Sequence, residues 1–256
     1  MVLRLALISA LSAGLLGALG AATSASAAEA EPVRAAYSSK VIGHSVKGRP
    51  IKAWRLGETH RPTVVLIAGM HGNEPAPTAI LRTLRDGRSV HGIDLWVVPA
   101  YNPDGLARGT RRNAHGVDLN RNYPYDWAPL SGSYYSGPEP ASEPETRAMM
   151  RFLRQVQPDW ILSFHQPLHG VDTAVEQPAF ARKVARILGL PATTLDCGGV
   201  CHGTMTGWYN HHYDGFALTV EYGARPSRRL MTRVAPDQVL RIFGSWRGTN
   251  RFDVVG

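Results

Sequence analysis

The sequence predicts an α/β sandwich built on a mixed sheet, and three observations carry that prediction. Short apolar runs of strand length alternate with stretches of helical pattern along most of the chain. The spacings between these runs are uneven, as expected when antiparallel strands join a parallel core. No repeat and no Ser/Gly-rich or Pro-rich linker interrupts the alternation, so residues 41–256 read as one domain.

The expected strands are Ile51–Leu56, Thr63–Ala68, Asp94–Pro99, Asp159–Phe164 and Ala217–Val220, each a compact apolar run. Helical pattern falls at Pro75–Arg85, with Pro in its first turn, and at Ser142–Gln155, behind a Ser142/Glu145 capping box. Two further helices are expected at Pro178–Leu188 and Pro236–Phe243. The long interval Ala100–Ser142 is rich in Gly, Asn, Pro and Tyr, and a loop of that length in a compact domain is usually functional.

The first residues follow a different logic. Arg4 is the only charge before Glu29, an apolar Leu/Ala/Gly stretch follows it, and Ala25-Ser26-Ala27 is a small-residue cleavage pattern. Residues 1–27 are therefore expected to be a secretory signal peptide, and 28–40 a short N-terminal segment of the mature chain. An uncleaved membrane anchor is the competing reading, disfavoured by the glycines inside the stretch. Export implies a secreted or cell-wall-associated protein with no stable membrane span after cleavage.

The composition, 44% hydrophobic and 19% charged, is globular and excludes disorder throughout. A formal charge of +8 favours anionic surroundings. The arginines are scattered, with no basic run interleaved with aromatics, so no specific nucleic-acid partner is expected. Cys197 and Cys201 are expected to form a disulfide closing a small loop, with free thiols or a metal site beside His202 as alternatives. Trp54, Trp96, Trp160 and Trp246 read as core or sheet-face residues rather than substrate platforms, Trp208 and Tyr209 are left open because they sit in the segment leading to Glu221, and His202, His211 and His212 read as surface or structural histidines with a place lining the cleft as the alternative.

Three polar residues stand where apolar strands end: His71 after TVVLIAGM, His165 after WILSF and Glu221 after ALTV. Ligands of open α/β sheets bind at the carboxyl ends of strands. Glu74, three residues after His71, adds a carboxylate, and two ligands close in sequence plus one distant is a common plan for catalytic zinc. The spacing alone is weak, since an HxxE pair arises by chance in roughly one such chain in three. His91/Asp94, His115/Asp118, His169/Asp172 and His211/Asp214 repeat it with Asp. Only His71/Glu74 directly follows a buried-type strand and begins a helix, and buried or surface histidines with a helix-start Glu remain the alternative.

GMHGNE (69–74), NPDG (102–105), GVDLNRNYP (116–124), SFHQPLHGVD (163–172) and TVEYG (219–223) occur in this order, after an opening IGHSVKGRPI (42–51). With these gaps the chain resembles the zinc carboxypeptidase family typified by carboxypeptidase A, most of all its short bacterial murein peptide amidase branch, from about residue 41 to at least Gly223. The resemblance implies an α/β/α sandwich around a mixed, roughly eight-stranded sheet. It implies one zinc ion per chain held by His71, Glu74 and His165, with Glu221 as general base. Asn120 and Arg121 would clamp the substrate's terminal carboxylate and Arg111 would polarise the scissile carbonyl, with Arg108 and Arg112 as neighbours able to take its place. The two-oxygen fork of a guanidinium suits a free carboxylate, which would make the enzyme an exopeptidase.

Some features depart from the family pattern. The mobile-loop Tyr of the digestive enzymes has no clear counterpart: the corresponding interval holds Cys197, Gly198, Gly199 and Cys201, and Tyr209 and Tyr213 lie closer to Glu221. Neither an inhibitory pro-domain before Val41 nor an appended β-sandwich after Glu221 is expected. The functional expectation is an exported, monomeric zinc metallopeptidase that hydrolyses a C-terminal peptide or γ-glutamyl bond of cell-wall murein peptides by a zinc-water mechanism. A general carboxypeptidase on ordinary peptides and a catalytically inactive wall-binding protein are the rivals. Asp172 is the candidate reader of a distal ammonium on diaminopimelate, against a loop-capping role for the same side chain.

Overall fold

The computed structural model describes residues 36–195 and 197–248, so the expected signal peptide and the chain's last eight residues lie outside the described part. The chain begins with an antiparallel hairpin, β1 (Ala36–His44) and β2 (Pro50–Gly57). It then runs through β3 (Thr63–Ala68), α1 (Thr78–Asp86), β4 (Val90–His91), β5 (Asp94–Val98) and α2 (Pro103–Arg108). After a long loop come α3 (Pro144–Val156), β6 (Trp160–His165), β7 (Leu168–Asp172), α4 (Pro178–Leu188) and β8 (Ala192–Thr193). α5 (Met205–His212), β9 (Phe216–Gly223), α6 (Ala235–Ile242) and β10 (Trp246–Arg247) complete it.

Eight strands form one mixed sheet in the order β1-β2-β5-β3-β6-β9-β7-β8, and β10 pairs with β4 in a small second ribbon. The central strands β5, β3, β6 and β9 are parallel, while β2 and β7 attach antiparallel at either side. The expected mixed, eight-stranded α/β/α sandwich is the one observed. Side chains alternate across the central strands because successive Cβ atoms point to opposite faces. Val64, Leu66 and Ala68 of β3 pack with α1, α4 and α6, whereas Val65 and Ile67 pack with α3 and α5. Both faces are dry, which is why these strands read as unbroken apolar runs.

From β3 the chain passes to β5 on one side, then crosses back to β6 on the other side of β3. The connections of β3 and β6 therefore diverge, leaving a crevice at their carboxyl ends. His71 leaves β3 there and His165 ends β6 there.

The sheet has an edge strand before the first expected one: β1, from Ala36, is mostly exposed, so its pairing with β2 leaves no apolar signal. Two expectations need correction. α1 starts at Thr78 instead of Pro75: Pro75 and Pro77 have no N–H, and residues 74–80 first make a run of i→i+3 turns. α3 starts at Pro144 without the capping box. The Ser142 hydroxyl donates to Glu143, and Glu145 accepts instead from the Val46 N–H and the Asn113 amide.

Gly72, beside His71, touches α2 so closely that an added Cβ would lie 1.9 Å from the Gly105 carbonyl carbon. Backbone meets backbone, so no side chain can turn away. Gly72→Ala is expected to cost at least about 2 kcal/mol of stability, the scale of overpacking in a tight core. A urea midpoint equal to wild type would refute the contact.

Candidate metal and substrate site

His71, Glu74 and His165 converge at the crevice, buried, with one donor atom from each lying within 4.8 Å of the others. The His71 Nδ1 is 2.7 Å from Glu74 Oε1, the His165 Nδ1 is 2.9 Å from Glu74 Oε2, and the two Nδ1 atoms are 3.3 Å apart. Glu74 belongs to the turn before α1 rather than to the helix, and that turn brings it back toward His71. It is the one grouping of three such donors among the described residues.

The opposite ring nitrogens are also engaged. His71 Nε2 faces Asp118 Oδ1 at 3.0 Å, and His165 Nε2 lies 2.9 Å from the Ser163 hydroxyl. An outer partner on each Nε2 orients the ring and turns Nδ1 toward the centre, the usual support of a metal-binding histidine. Burial alone would lower the His71 imidazole's pKa, but the Asp118 and Glu74 carboxylates raise it to about 9. Burial likewise pushes Glu74 up, and the charges of His71 and His165 bring it down to about 2. The cluster thus favours positive charge at its centre. Two imidazoles and a carboxylate are the donor chemistry of a catalytic zinc site.

Strand register supplies the next group. His165 of β6 pairs with Glu221 of β9, and both share the face of Ile161 and Ala217. Glu221 is 8% exposed, and its Oε2 accepts from the Leu168 N–H at 3.2 Å. Burial raises its pKa above the ordinary carboxylate value, Glu74 adds to the rise, and His165 and His71 oppose it.

A cavity of about 870 Å³ opens in front of this cluster, lined by His71, His165 and Glu221 and by Arg111, Asn120 and Arg121 from the long loop. Arg111 donates from Nε to Asp118 at 2.9 Å, and its Nη1 is 3.6 Å from Glu74. Arg108 and Arg112 do not line the cavity, and each bonds a backbone carbonyl instead, of Asn113 and Gly132 respectively. Asn120 Oδ1 accepts from the Met205 N–H, so its amide group is left to donate. Arg121 is buried, bonds its neighbour's carbonyl through Nη1, and has no partner for Nε.

Asp118 was one of the HxxD decoys in the sequence, yet it serves His71, not His115. His115 bonds Glu143 instead. Its only sequence signal was its place two residues before Asn120. Ser163, in a buried strand, gave none. Cys197 and Cys201 form the expected disulfide, at the rim of the cavity. Tyr209 is buried with its hydroxyl on the Pro158 carbonyl, and Tyr213 stacks on it, so neither reaches the site. Trp208, left open in the sequence, is core. His211 lines the cavity, stacked on Tyr125 at 3.9 Å, which is the alternative to a surface or structural role.

The chain belongs to the zinc carboxypeptidase family, whose model matches residues 26–168, and is a metallocarboxypeptidase-type hydrolase with zinc as its metal. Among curated relatives, murein peptide amidase A of Escherichia coli (strain K12) is 32% identical over 65% of this chain and 74% of its own length. The solved structure of murein-tripeptide amidase from Escherichia coli O157 superposes with a TM-score of 0.66 at 25% identity, over 83% of this chain and 93% of that one. Carboxypeptidase A from Helicoverpa armigera shares the fold, with a TM-score of 0.64 at 17% identity over 82% of this chain and 68% of that one.

Asp118→Asn removes the charge behind His71. Zinc affinity, measured by competition against a chelator, is expected to fall about 10- to 100-fold, the range for an outer partner of a ligating histidine. Unchanged affinity would show that Asp118 does not support the metal.

Proposed function

We propose that this chain is an exported zinc metallopeptidase that hydrolyses the C-terminal peptide or γ-glutamyl bond of murein-derived peptides, with Glu221 as general base. The carrying observation is the union, in one cavity, of the His71/Glu74/His165 cluster, the register-paired Glu221 and a buried arginine with an unpartnered donor. The Escherichia coli relatives named for murein peptides point to the substrate class. The apolar, sparsely charged N terminus supports export.

Zinc held by His71, Glu74 and His165 supplies Lewis-acid polarisation and lowers the pKa of water. Glu221, in register beside His165, takes the proton from the attacking water and returns it to the leaving nitrogen. Arg111, held by Asp118 beside Glu74, donates to the carbonyl oxygen as negative charge develops there. Arg121 and the Asn120 amide receive the terminal carboxylate, which fixes the scissile bond one residue from the end.

Glu221→Gln is expected to retain zinc and fold but to lose at least about 10²-fold in kcat. Because the base must be ionised, wild-type kcat/KM is expected to fall as pH drops and Glu221 takes up a proton; burial and Glu74 favour that proton, and zinc opposes it. Near-normal turnover of the variant would place the base elsewhere.

Asp172 and Glu176 line the same cavity. Asp172 Oδ1 accepts from the Ala174 and Leu195 N–H groups, so the loop-capping role is present, while Oδ2 has no hydrogen bond among the described residues. That oxygen is the proposed acceptor for the distal ammonium of diaminopimelate. Wild type is expected to favour a γ-D-glutamyl-diaminopimelate peptide over the same peptide ending in Phe or Leu by at least tenfold, about 1.4 kcal/mol of transition-state binding. Asp172→Asn should narrow that preference. A tenfold preference for the ordinary residue would make the enzyme a general carboxypeptidase.

A further inference from the structure

The cationic side of the cavity carries an aromatic ring that the mechanism above does not use. Tyr134 stands on the turn Gly132–Tyr134, in the loop between the Asn120–Arg121 pair and α3. Its ring centre is 5.2 Å from the Arg111 Cζ and 5.2 Å from the Arg121 Cζ. It lines the cavity, and 41% of the residue is exposed.

The turn is fastened to the segment that bears both arginines. Arg112, next to Arg111, donates to the Gly132 carbonyl at 2.9 Å. The Tyr135 carbonyl accepts from the Asp118 N–H at 2.8 Å, three residues before Arg121. The ring is therefore held relative to the two guanidinium groups by bonds on either side of it.

Two guanidinium groups that meet one ring repel each other, and Arg121 is buried with its Nε unpartnered. An aromatic face attracts both through its quadrupole and consumes none of their in-plane N–H donors. A carboxylate at that position would instead occupy the fork intended for substrate. The ring thus favours the paired cations: Arg111 stays on Asp118, and Arg121 keeps its Nε open to an incoming anion.

We propose that Tyr134 is a positioning residue for the substrate's terminal carboxylate, its ring holding Arg121 in the arrangement that receives it, beside the carbonyl-facing Arg111. The proposal rests on the reading of Arg121 as the carboxylate clamp. It makes Tyr134 a determinant of binding through the ring, with the phenolic hydroxyl dispensable.

The test uses the zinc-loaded full chain and the Tyr134→Phe, Tyr134→Leu and Arg121→Ala variants. The readouts are kcat and KM for a peptide with a free C terminus, and Ki for the released amino acid and for its amide. Tyr134→Phe is expected to match wild type within about twofold, while Tyr134→Leu raises KM and the Ki of the free acid roughly fivefold, as loss of a cation–π contact predicts. Zinc content and the amide's Ki should stay near wild type in Tyr134→Leu, and kcat should fall by a smaller factor than KM rises, because Asp118 still holds Arg111. The proposal is overturned if Tyr134→Leu leaves KM and Ki unchanged, if Tyr134→Phe is as impaired as Tyr134→Leu, or if kcat and both Ki values deteriorate together. Arg121→Ala separates the two readings. If it leaves the free acid's Ki unchanged, the clamp itself fails; if it weakens the acid while Tyr134→Leu does not, only the role of Tyr134 falls.

Discussion

One buried carboxylate organises the site. Asp118 is fully buried and accepts from the His71 ring, the Arg111 guanidinium and the Asn120 backbone N–H. Burial alone would favour its neutral form, but the charges of His71, Arg111 and Arg121 hold its pKa well below the usual carboxylate range. Isolated, such a charge would be costly to bury; with several donors it is compensated. A single side chain therefore sets His71, Arg111 and the Asn120–Arg121 pair relative to one another. The length of the loop after β5 follows from this, because it must supply Arg111, Asp118, Asn120, Arg121 and Tyr134 to one edge of the crevice.

The other half of the site comes from the sheet. His165 and Glu221 need no loop to bring them together, since parallel pairing of β6 and β9 sets them side by side. Alternation does the rest: Ser163 and His165 share a face of β6, so the residue that orients the imidazole stands two positions before it. Glu74 joins the two halves, with one oxygen toward each histidine. A rigid sheet carries His165 and Glu221, and a hydrogen-bonded loop adjusts the remaining groups around them.

What was legible in the sequence follows burial. Thr63–Ala68 and Pro178–Leu188 were read to the residue, because one is apolar on both faces and the other is punctuated by Pro at its start and Gly189 at its end. Strands β1 and β7 escaped notice: most described β1 side chains are exposed, and β7 reads LHGVD. α2 and α5 were hidden too, one by its brevity within a Gly- and Asn-rich stretch and the other by a polar sequence without a clean apolar face. In the site, the clustering of His71, Glu74 and His165 was legible through motif order and strand context. Asp118 was not, since its partner lies 47 positions away and the nearer His115 offered a false one. Tyr134 was invisible for the same reason: its contacts are made through space to residues whose own roles come from another motif.

Charge placement matters more here than charge count. The formal +8 of the whole chain favours an anionic environment without saying where any anion binds. Within the cavity the long loop brings Arg111 and Arg121, while β7 and the segment after it bring Asp172 and Glu176. Two signs of charge from separate elements can read two ends of one ligand, whereas a uniformly basic cleft would accept any anionic peptide and discriminate little. A free carboxylate would be attracted by the first pair and repelled by the second. On the proposed reading, selectivity for a terminal residue with both charges at its far end would depend on the distance between these two elements. That distance is set by the sheet, because β7 is anchored to β9 through Gly170 paired with Glu221, the same residue that stands beside His165.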